Sequence, residues 1–207
     1  MAKERSEQRT GGGQRRMDVE ERKALILNAA RELYARAAYS QVSTTEISRA
    51  SGSSQALVFH YFGTKADLFA AVVGSAIEDL RSAQSAVDAD LPDGVPVRDR
   101  VRASIEVYLD HIARHPVSWA APLRGGTEPE EAQKVRAAAR AEYVGRLGSL
   151  LGVSGWPRHV YALWGYFGFL DQACLHWVEQ GCLDDERQPL IESALGALEG
   201  ALGDWQT

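Results

Sequence analysis

Apolar side chains recur at intervals of three and four residues along most of this chain, which is the spacing typical of amphipathic α-helices. The alternation of apolar and polar residues that marks a β-strand is not sustained anywhere. Clusters of glycine and proline separate the periodic stretches, because both residues interrupt regular structure. The pattern therefore predicts an all-α protein with about nine helices. The predicted helices span residues 18–38, 44–50, 54–61, 65–88, 97–114, 119–124, 128–151, 157–180 and 189–205.

Two short predicted helices lie close together between residues 44 and 61. Ser43, followed three residues later by Glu46, forms a capping box, so we expect a helix to begin at Thr44. Gly52 ends that helix because glycine adopts a left-handed backbone at little cost, and Ser54 can cap the next helix at once. Two helices joined by such a tight turn are typical of a helix-turn-helix.

The second of these helices carries residues that are unusual for a segment buried in a core. Val58 and Phe62, four residues apart, can face inward. The remaining side chains are small, aromatic or amide-bearing, and such groups can bond base edges, touch thymine methyl groups or reach phosphates. They are Gln55, Ala56, Leu57, Phe59, His60 and Tyr61. This composition suits a helix that enters a major groove.

Lys65 falls in the first turn of the following helix, since Thr64 and Asp67 form another capping pair. The helix dipole disfavours a cation at this position. Contact with phosphate oxygens would explain why a lysine stands there.

The whole stretch resembles the DNA-binding segment of the TetR family of transcriptional regulators. The family pattern is roughly Thr-x-x-x-Ile-Ala-x-x-Ala-Gly-Val-Ser-x-Gly-x-Leu-Tyr-x-Tyr-Phe-x-x-Lys-x-x-Leu. The residues that correspond to this pattern are Thr44, Ile47, Ser48, Ser51, Gly52, Ser53, Ser54, Ala56, Val58, Phe59, Tyr61, Phe62, Lys65 and Leu68. The departures are mild except at Phe59, which replaces a tyrosine whose hydroxyl commonly reaches a phosphate. A contact with a base methyl group or a sugar is expected there instead.

The resemblance implies a homodimeric, ligand-responsive regulator, more often a repressor, that reads a palindromic operator. It assigns phosphate contacts to Thr44, Thr45, Tyr61 and Lys65. It assigns groove contacts to Gln55, Ala56, Leu57, Phe59 and His60.

Charge is distributed unevenly along the chain, whose formal net charge is −5. Residues 1–65 carry 11 Lys and Arg against 7 Asp and Glu, a net of +4, and the other 142 residues carry 12 against 21, a net of −9. A basic N-terminal part joined to an acidic remainder is expected when only one end of a protein binds the phosphates of DNA.

We divide the chain into three parts. Residues 1–17, with five basic and two acidic side chains and no apolar periodicity, are expected to form a disordered basic arm. Such an arm could follow the DNA backbone, or it could be a tail without function. Residues 18–66 form the predicted DNA-binding domain and residues 67–207 the effector-binding and dimerisation domain, with the helix at 65–88 connecting them.

The last two predicted helices suggest a partner. The helix at 157–180 is apolar around much of its circumference, which exceeds what one side of a monomeric core uses. The resemblance implies a four-helix dimer interface here, and an ordinary buried helix pair is the alternative. On the final helix the apolar stripe predicted to form the interface comprises Ile191, Leu195, Leu198 and Leu202.

All five tryptophans and most other aromatic residues lie in the C-terminal body. Asp171 interrupts an apolar run there, and a carboxylate is rarely buried without a partner. We therefore hypothesise a site for a small, mostly apolar or aromatic effector, against the alternative that these side chains simply fill a core. The predicted lining residues are Trp119, Tyr143, Trp164, Phe167 and Asp171.

Other classes of protein find less support. The sequence holds no nucleophile elbow, phosphate-binding glycine loop or zinc motif, so we expect no enzyme, no catalytic residue, no cofactor and no metal. His111 and His115, four residues apart, could share a metal, but no third ligand is evident. A helical carrier or adaptor that does not bind DNA is the main alternative, although it would have no use for Lys65 or the basic first third.

No apolar run reaches the roughly 18 residues that a membrane span needs, and the charged N-terminus lacks the apolar segment of a signal peptide. A soluble, cytoplasmic protein without membrane partners is therefore expected.

Overall fold

The computed structural model describes residues 18–125, 128–153 and 155–203, and within these ranges it contains nine α-helices, one short 3-10 turn and no β-strand. The predicted all-α class and helix number are thereby confirmed. The predicted arm at residues 1–17 and the last residues of the predicted final helix lie outside the described ranges. The helices are α1 (Val19–Tyr34), α2 (Thr44–Ala50), α3 (Gln55–Phe62), α4 (Lys65–Asp90), α5 (Val97–Arg114), α6 (Pro116–Ala120), α7 (Glu130–Leu151), α8 (Pro157–Glu179) and α9 (Asp184–Leu202).

The first helix is shorter than its apolar pattern predicts. It begins after a capping box formed by Asp18 and Glu21, but it ends at Tyr34 instead of residue 38. A 3-10 turn at Tyr39–Gln41 follows and leads the chain into α2. No glycine or proline marks this end, so the sequence pattern overestimates the length of the helix.

Two other predicted boundaries are wrong, both near a proline. Helix α9 begins at Asp184 instead of residue 189, and Pro189 lies inside it. The earlier start is favoured by three acidic residues in the first turn, which complement the helix dipole. Helix α6 begins at Pro116 instead of Trp119, since proline is favoured at the first position of a helix, where its missing N–H is not needed.

Two apolar cores lie along the molecule. The N-terminal core joins α1, α2 and α3 through Ile26, Ile47 and Val58, and it is completed by the first half of α4 and by Ala132 of α7. The second core joins α5, α7, α8 and α9. Helix α4 therefore closes the first core and then continues beside α5 and α7.

The apolar stripe of α9 does not lie where the sequence analysis expected it. All four of its residues are buried inside the second core of a single chain: Ile191, Leu195, Leu198 and Leu202. They cannot form a dimer surface because the chain's own α5 and α8 already cover them. Among the described residues, the outer face of α8 leaves several large apolar side chains uncovered, and Tyr161 there is 77% exposed.

In the described part of the chain, no single helix is long and apolar enough to cross a membrane, and only α3 and α4 taken together, across a 65° bend, meet the requirement of length and composition.

Candidate DNA-binding surface and ligand cavity

The helix-turn-helix is built by local hydrogen bonds that the sequence specifies. Ser43 and Glu46 cap α2 reciprocally, and Ser54 accepts a hydrogen bond from the backbone N–H of Leu57 at the start of α3. Gly52 has a φ of 61°, which lets the chain reverse between the two helices. Val58 is 1% exposed and anchors the inner side of α3, so the opposite side of this helix is fixed towards solvent.

The predicted DNA contacts mostly lie on that outer side. Five of them are exposed: Thr45, Gln55, Ala56, Phe59 and His60. Four are half-buried: Thr44, Leu57, Tyr61 and Lys65. The exposed aromatic ring of Phe59, 43% accessible, supports a contact outside the protein because a core would have covered it.

Gln55 and Thr45 contact each other across the turn. The side-chain amide of Gln55 donates a hydrogen bond to the hydroxyl of Thr45. This bond fixes the direction of Gln55, and its carbonyl oxygen and second N–H stay available to base edges.

Lys65 has a partner within the chain. Its Nζ donates a hydrogen bond of 2.7 Å to the backbone carbonyl of Tyr39 and lies 4.1 Å from the centre of the Tyr39 ring. Burial lowers the pKa of Lys65, while the carboxylate of Glu46 acts in the opposite direction. Its position at the start of α4 therefore has an explanation that does not require phosphate.

A cavity of about 1710 Å³ lies between α1, α4, α5, α6, α7 and α8. This volume exceeds the range of about 300–1,000 Å³ that is usual for small-molecule sites. The structure brings four of the five predicted ligand residues to its wall: Trp119, Tyr143, Phe167 and Asp171. Trp164 does not line the cavity, because it points away from the core on the outer face of α8 and is 46% exposed.

Asp171 is the centre of a polar network in the cavity wall. Its carboxylate accepts hydrogen bonds from the Arg140 guanidinium and, at 3.4 Å, from the Tyr108 hydroxyl. The indole N–H of Trp119 donates to the same Tyr108 hydroxyl over 2.9 Å. Burial raises the pKa of Asp171, and the charge of Arg140 opposes that effect. The carboxylate predicted to need a partner thus has two.

Arg140 and Tyr108 were missed as site residues. Arg140 lies on α7 and also stacks over Phe167, at 5.0 Å from its ring centre. A signal existed in the sequence, because Arg136 and Arg140 share one face of a helix that is otherwise rich in alanine. The partner of Asp171 could not be chosen from sequence, since several arginines of the body fit equally well.

Three tyrosine hydroxyls in the cavity wall are buried and have no hydrogen-bond partner among the described residues: Tyr34, Tyr143 and Tyr166. An unsatisfied buried hydroxyl is costly and needs an explanation. Acceptors or donors on a bound molecule would satisfy these groups.

Comparison with known proteins agrees with this geometry. Residues 26–72 match the family described as bacterial regulatory proteins, tetR family. The HTH-type transcriptional activator FasR of Mycolicibacterium smegmatis is 29% identical over 145 residues, which are 68% of this chain and 65% of FasR. The matched part therefore leaves about a third of that relative uncovered.

Solved structures extend the similarity to the body. A tetR-family transcriptional regulator from Streptomyces coelicolor matches with a TM-score of 0.70 at 26% identity, over 89% of this chain and 80% of that chain. FadR from Bacillus subtilis, solved in complex with stearoyl-CoA, matches with a TM-score of 0.67 at 16% identity, over 87% of this chain and 98% of that chain. The second likeness concerns the fold alone. Together these findings confirm the resemblance drawn from the residues around Gly52.

His111 and His115 lie at the cavity wall near the end of α5, with ring centres 5.4 Å apart. The described residues contain no group of three side chains able to hold a metal ion. Burial, and then the neighbouring His115 and Arg114, lower the pKa of His111 from 6.5 to about 4.

The low pKa of His111 predicts a loss of stability in acid. Between pH 6.5 and about 4 the unfolded chain binds a proton at this position that the folded chain does not, so the free energy of unfolding falls as the pH falls. In urea unfolding across this range, His111→Gln should show a shallower pH dependence than the parent chain. His176→Gln, at an exposed histidine of α8, is the control for the effect of a histidine-to-glutamine exchange. Parallel curves for all three proteins would contradict the burial of a neutral imidazole.

Proposed function

We propose that this chain, whose residues 26–72 match the tetR family, is a ligand-responsive transcriptional regulator that binds operator DNA as a homodimer. A ligand that fills the cavity lowers the affinity for DNA. The observation that carries this proposal is the arrangement of α4, which begins beside the exposed recognition helix α3 and then forms a wall of the cavity.

We propose a palindromic operator and repression as the mode of action. A two-fold dimer presents two recognition helices, and half-sites a whole turn apart match that symmetry. Repression follows when such an operator overlaps a promoter. The relative FasR is named an activator, so the sign of regulation is tested by reporter expression on deletion of this chain, where repression requires that expression rises.

Within the recognition surface we assign two tasks. Thr44, Thr45, Tyr61 and Lys65 bind phosphates and fix the position on the duplex. Gln55 reads a base edge, and Ala56, Leu57, Phe59 and His60 provide the remaining groove contacts. The exposure of Gln55 and its hydrogen bond to Thr45 support this division, because that bond fixes the orientation in which the amide meets a base edge.

We predict that Gln55→Ala relaxes the preference for one base pair, whereas Lys65→Ala weakens binding to all sequences alike. The loss of one phosphate contact should reduce the slope of log affinity against log salt by about one. The measurement is selection of bound duplexes from a random library, followed by affinity titrations at several salt concentrations. Equal effects of the two variants on base preference would contradict the division. Absence of any salt-sensitive duplex binding by the parent chain would favour the carrier or adaptor alternative.

The dimer surface that we propose is the outer face of α8 with the adjoining face of α9. On α8 the side chains of Val160, Tyr161, Trp164 and Phe169 are between 40% and 77% exposed, and monomeric proteins rarely leave such a patch uncovered. On α9 the exposed Gly196 leaves room for close approach of a second helix. Trp164, excluded from the cavity, thus acquires a role in association.

We predict that changes on the outer side of this helix pair weaken the dimer, whereas changes on its inner side destabilise the folded chain. Trp164→Glu should raise the dissociation constant of the dimer at least about tenfold, because it places a charge in an apolar contact, and it should leave the folded chain intact. Leu198→Ala should instead lower the free energy of unfolding by about 2–5 kcal/mol through loss of core packing. Sedimentation and urea unfolding measure the two effects. Leu25→Glu, at an exposed apolar position of α1, is the control, and a dimer unaffected by Trp164→Glu would contradict the surface.

The cavity favours a long, mostly apolar effector. Its lining on α4 extends from Phe69 to Asp88, which corresponds to about 28 Å of helix rise. The hydrocarbon core of a bilayer, about 30 Å thick, holds two opposed acyl chains, so one long acyl chain is shorter than this wall and fits along it. The fold similarity to FadR, which was solved with stearoyl-CoA, supports the same class of ligand.

We predict that stearoyl-CoA quenches or shifts the fluorescence of the cavity residue Trp119 and lowers operator affinity by about 5- to 150-fold. Ala139→Phe should weaken both responses, because Ala139 lines the cavity and a phenyl ring there would occupy space that a long ligand uses. Ala138→Phe, at the exposed neighbouring position outside the cavity, should respond like the parent chain. A response that Ala139→Phe leaves intact would exclude this cavity as the effector site.

A further inference from the structure

Tyr39 contacts Lys65 in two ways. Its backbone carbonyl accepts a hydrogen bond of 2.7 Å from the Lys65 Nζ, and its ring lies 4.1 Å below the same ammonium group. Tyr39 belongs to the 3-10 turn between α1 and α2, whereas Lys65 opens α4. These contacts therefore connect the turn before the helix-turn-helix to the residue that follows it.

The same tyrosine forms part of the cavity wall. Its ring centre lies 5.0 Å from that of Phe69 and 6.3 Å from that of Tyr34, and the Tyr34 and Phe69 rings are 4.7 Å apart. All three rings line the cavity at its end nearest the DNA-binding helices. The Tyr34 hydroxyl is buried and has no hydrogen-bond partner among the described residues, so this aromatic group can still form a hydrogen bond with a ligand.

Lysine has a long side chain that loses much rotational freedom when it is fixed on a phosphate. The contacts with Tyr39 hold the ammonium before DNA arrives, and the remaining two N–H groups stay free to bind a phosphate oxygen. A ring beneath the ammonium also limits the directions in which the side chain can turn. Lys65 is thus held in one place by a residue that a cavity ligand can touch.

We infer that Tyr39 is the positioning residue for Lys65 and that it links the DNA-proximal end of the cavity to the phosphate contact. This inference rests on the proposed function. An apolar or aromatic group of a ligand that displaces the Tyr39 ring releases Lys65 and weakens DNA binding directly, without a rotation of α4. The coupling acts on phosphate binding and leaves base preference unchanged.

The test uses a duplex selected from a random library by the full-length parent chain. Tyr39→Leu removes the ring and should weaken binding by about three- to tenfold, the range expected for loss of a cation–π contact. Tyr39→Phe keeps the ring and the carbonyl and should bind like the parent chain. Tyr34→Phe is the matched control, because it changes the same aromatic group without touching Lys65.

A double-mutant cycle separates positioning from general damage. If Tyr39 acts through Lys65, then Tyr39→Leu should have almost no further effect on DNA affinity in a Lys65→Met background. Additive losses would overturn the inference, as would unchanged binding by Tyr39→Leu or by Lys65→Met alone. Thermal unfolding of every variant accompanies the titrations. If Tyr39→Leu folds poorly, Tyr39→Phe still tests the inference, because weakened DNA binding by Tyr39→Phe would also overturn it. Failure of the parent chain to select any duplex would refute the proposed function itself.

Discussion

The structure depends on one constraint, which is that the three N-terminal helices cannot bury their apolar faces without help. Helices α2 and α3 are only 7 and 8 residues long, too short to be stable by themselves in water. The first half of α4 supplies Leu68, Phe69 and Val72 to their core, and α7 adds Ala132. A helix that must complete this core and also pack along the body has little freedom to move in one place alone. The first half of α4 thus packs beneath α3, and its second half lines the cavity.

The body contains a partly buried polar network at the cavity wall, beside its apolar core. An ion pair such as that of Arg140 and Asp171 loses hydration on burial, and its attraction often only compensates for that loss. Here each partner also makes a further contact. Asp171 accepts a hydrogen bond from the Tyr108 hydroxyl, and Arg140 stacks on the Phe167 ring. The pair therefore connects α7 to α8 at the cavity wall. We regard it as a support for the cavity, which apolar side chains alone would tend to close.

Interactions between residues close in sequence could be predicted, and those between distant residues could not. The capping pairs placed the starts of α2 and α4 correctly, since each capping pair spans only three positions. Periodicity also showed that Leu195 and Leu198 share a face of α9, but it does not say which neighbour covers that face. The partner of Lys65 lies 26 positions away, and that of Asp171 lies 31 positions away. Such pairs are fixed by the packing of helices, which no local pattern encodes.

The same reasoning explains why Trp164 was misplaced in the sequence analysis. A helix as apolar as α8 offers two apolar faces, and composition alone cannot decide which of them faces the cavity. The buried Tyr166 and Leu170 define the inner face, which leaves Trp164 outside by helical geometry. Two apolar faces are expected of a helix with two neighbours, one within the chain and one in a second copy. A 5- to 150-fold loss of operator affinity corresponds to a differential binding free energy of about 1–3 kcal/mol. Such a difference requires contacts that change between two arrangements of the helices around the cavity, because a ligand shifts an equilibrium only by its differential affinity.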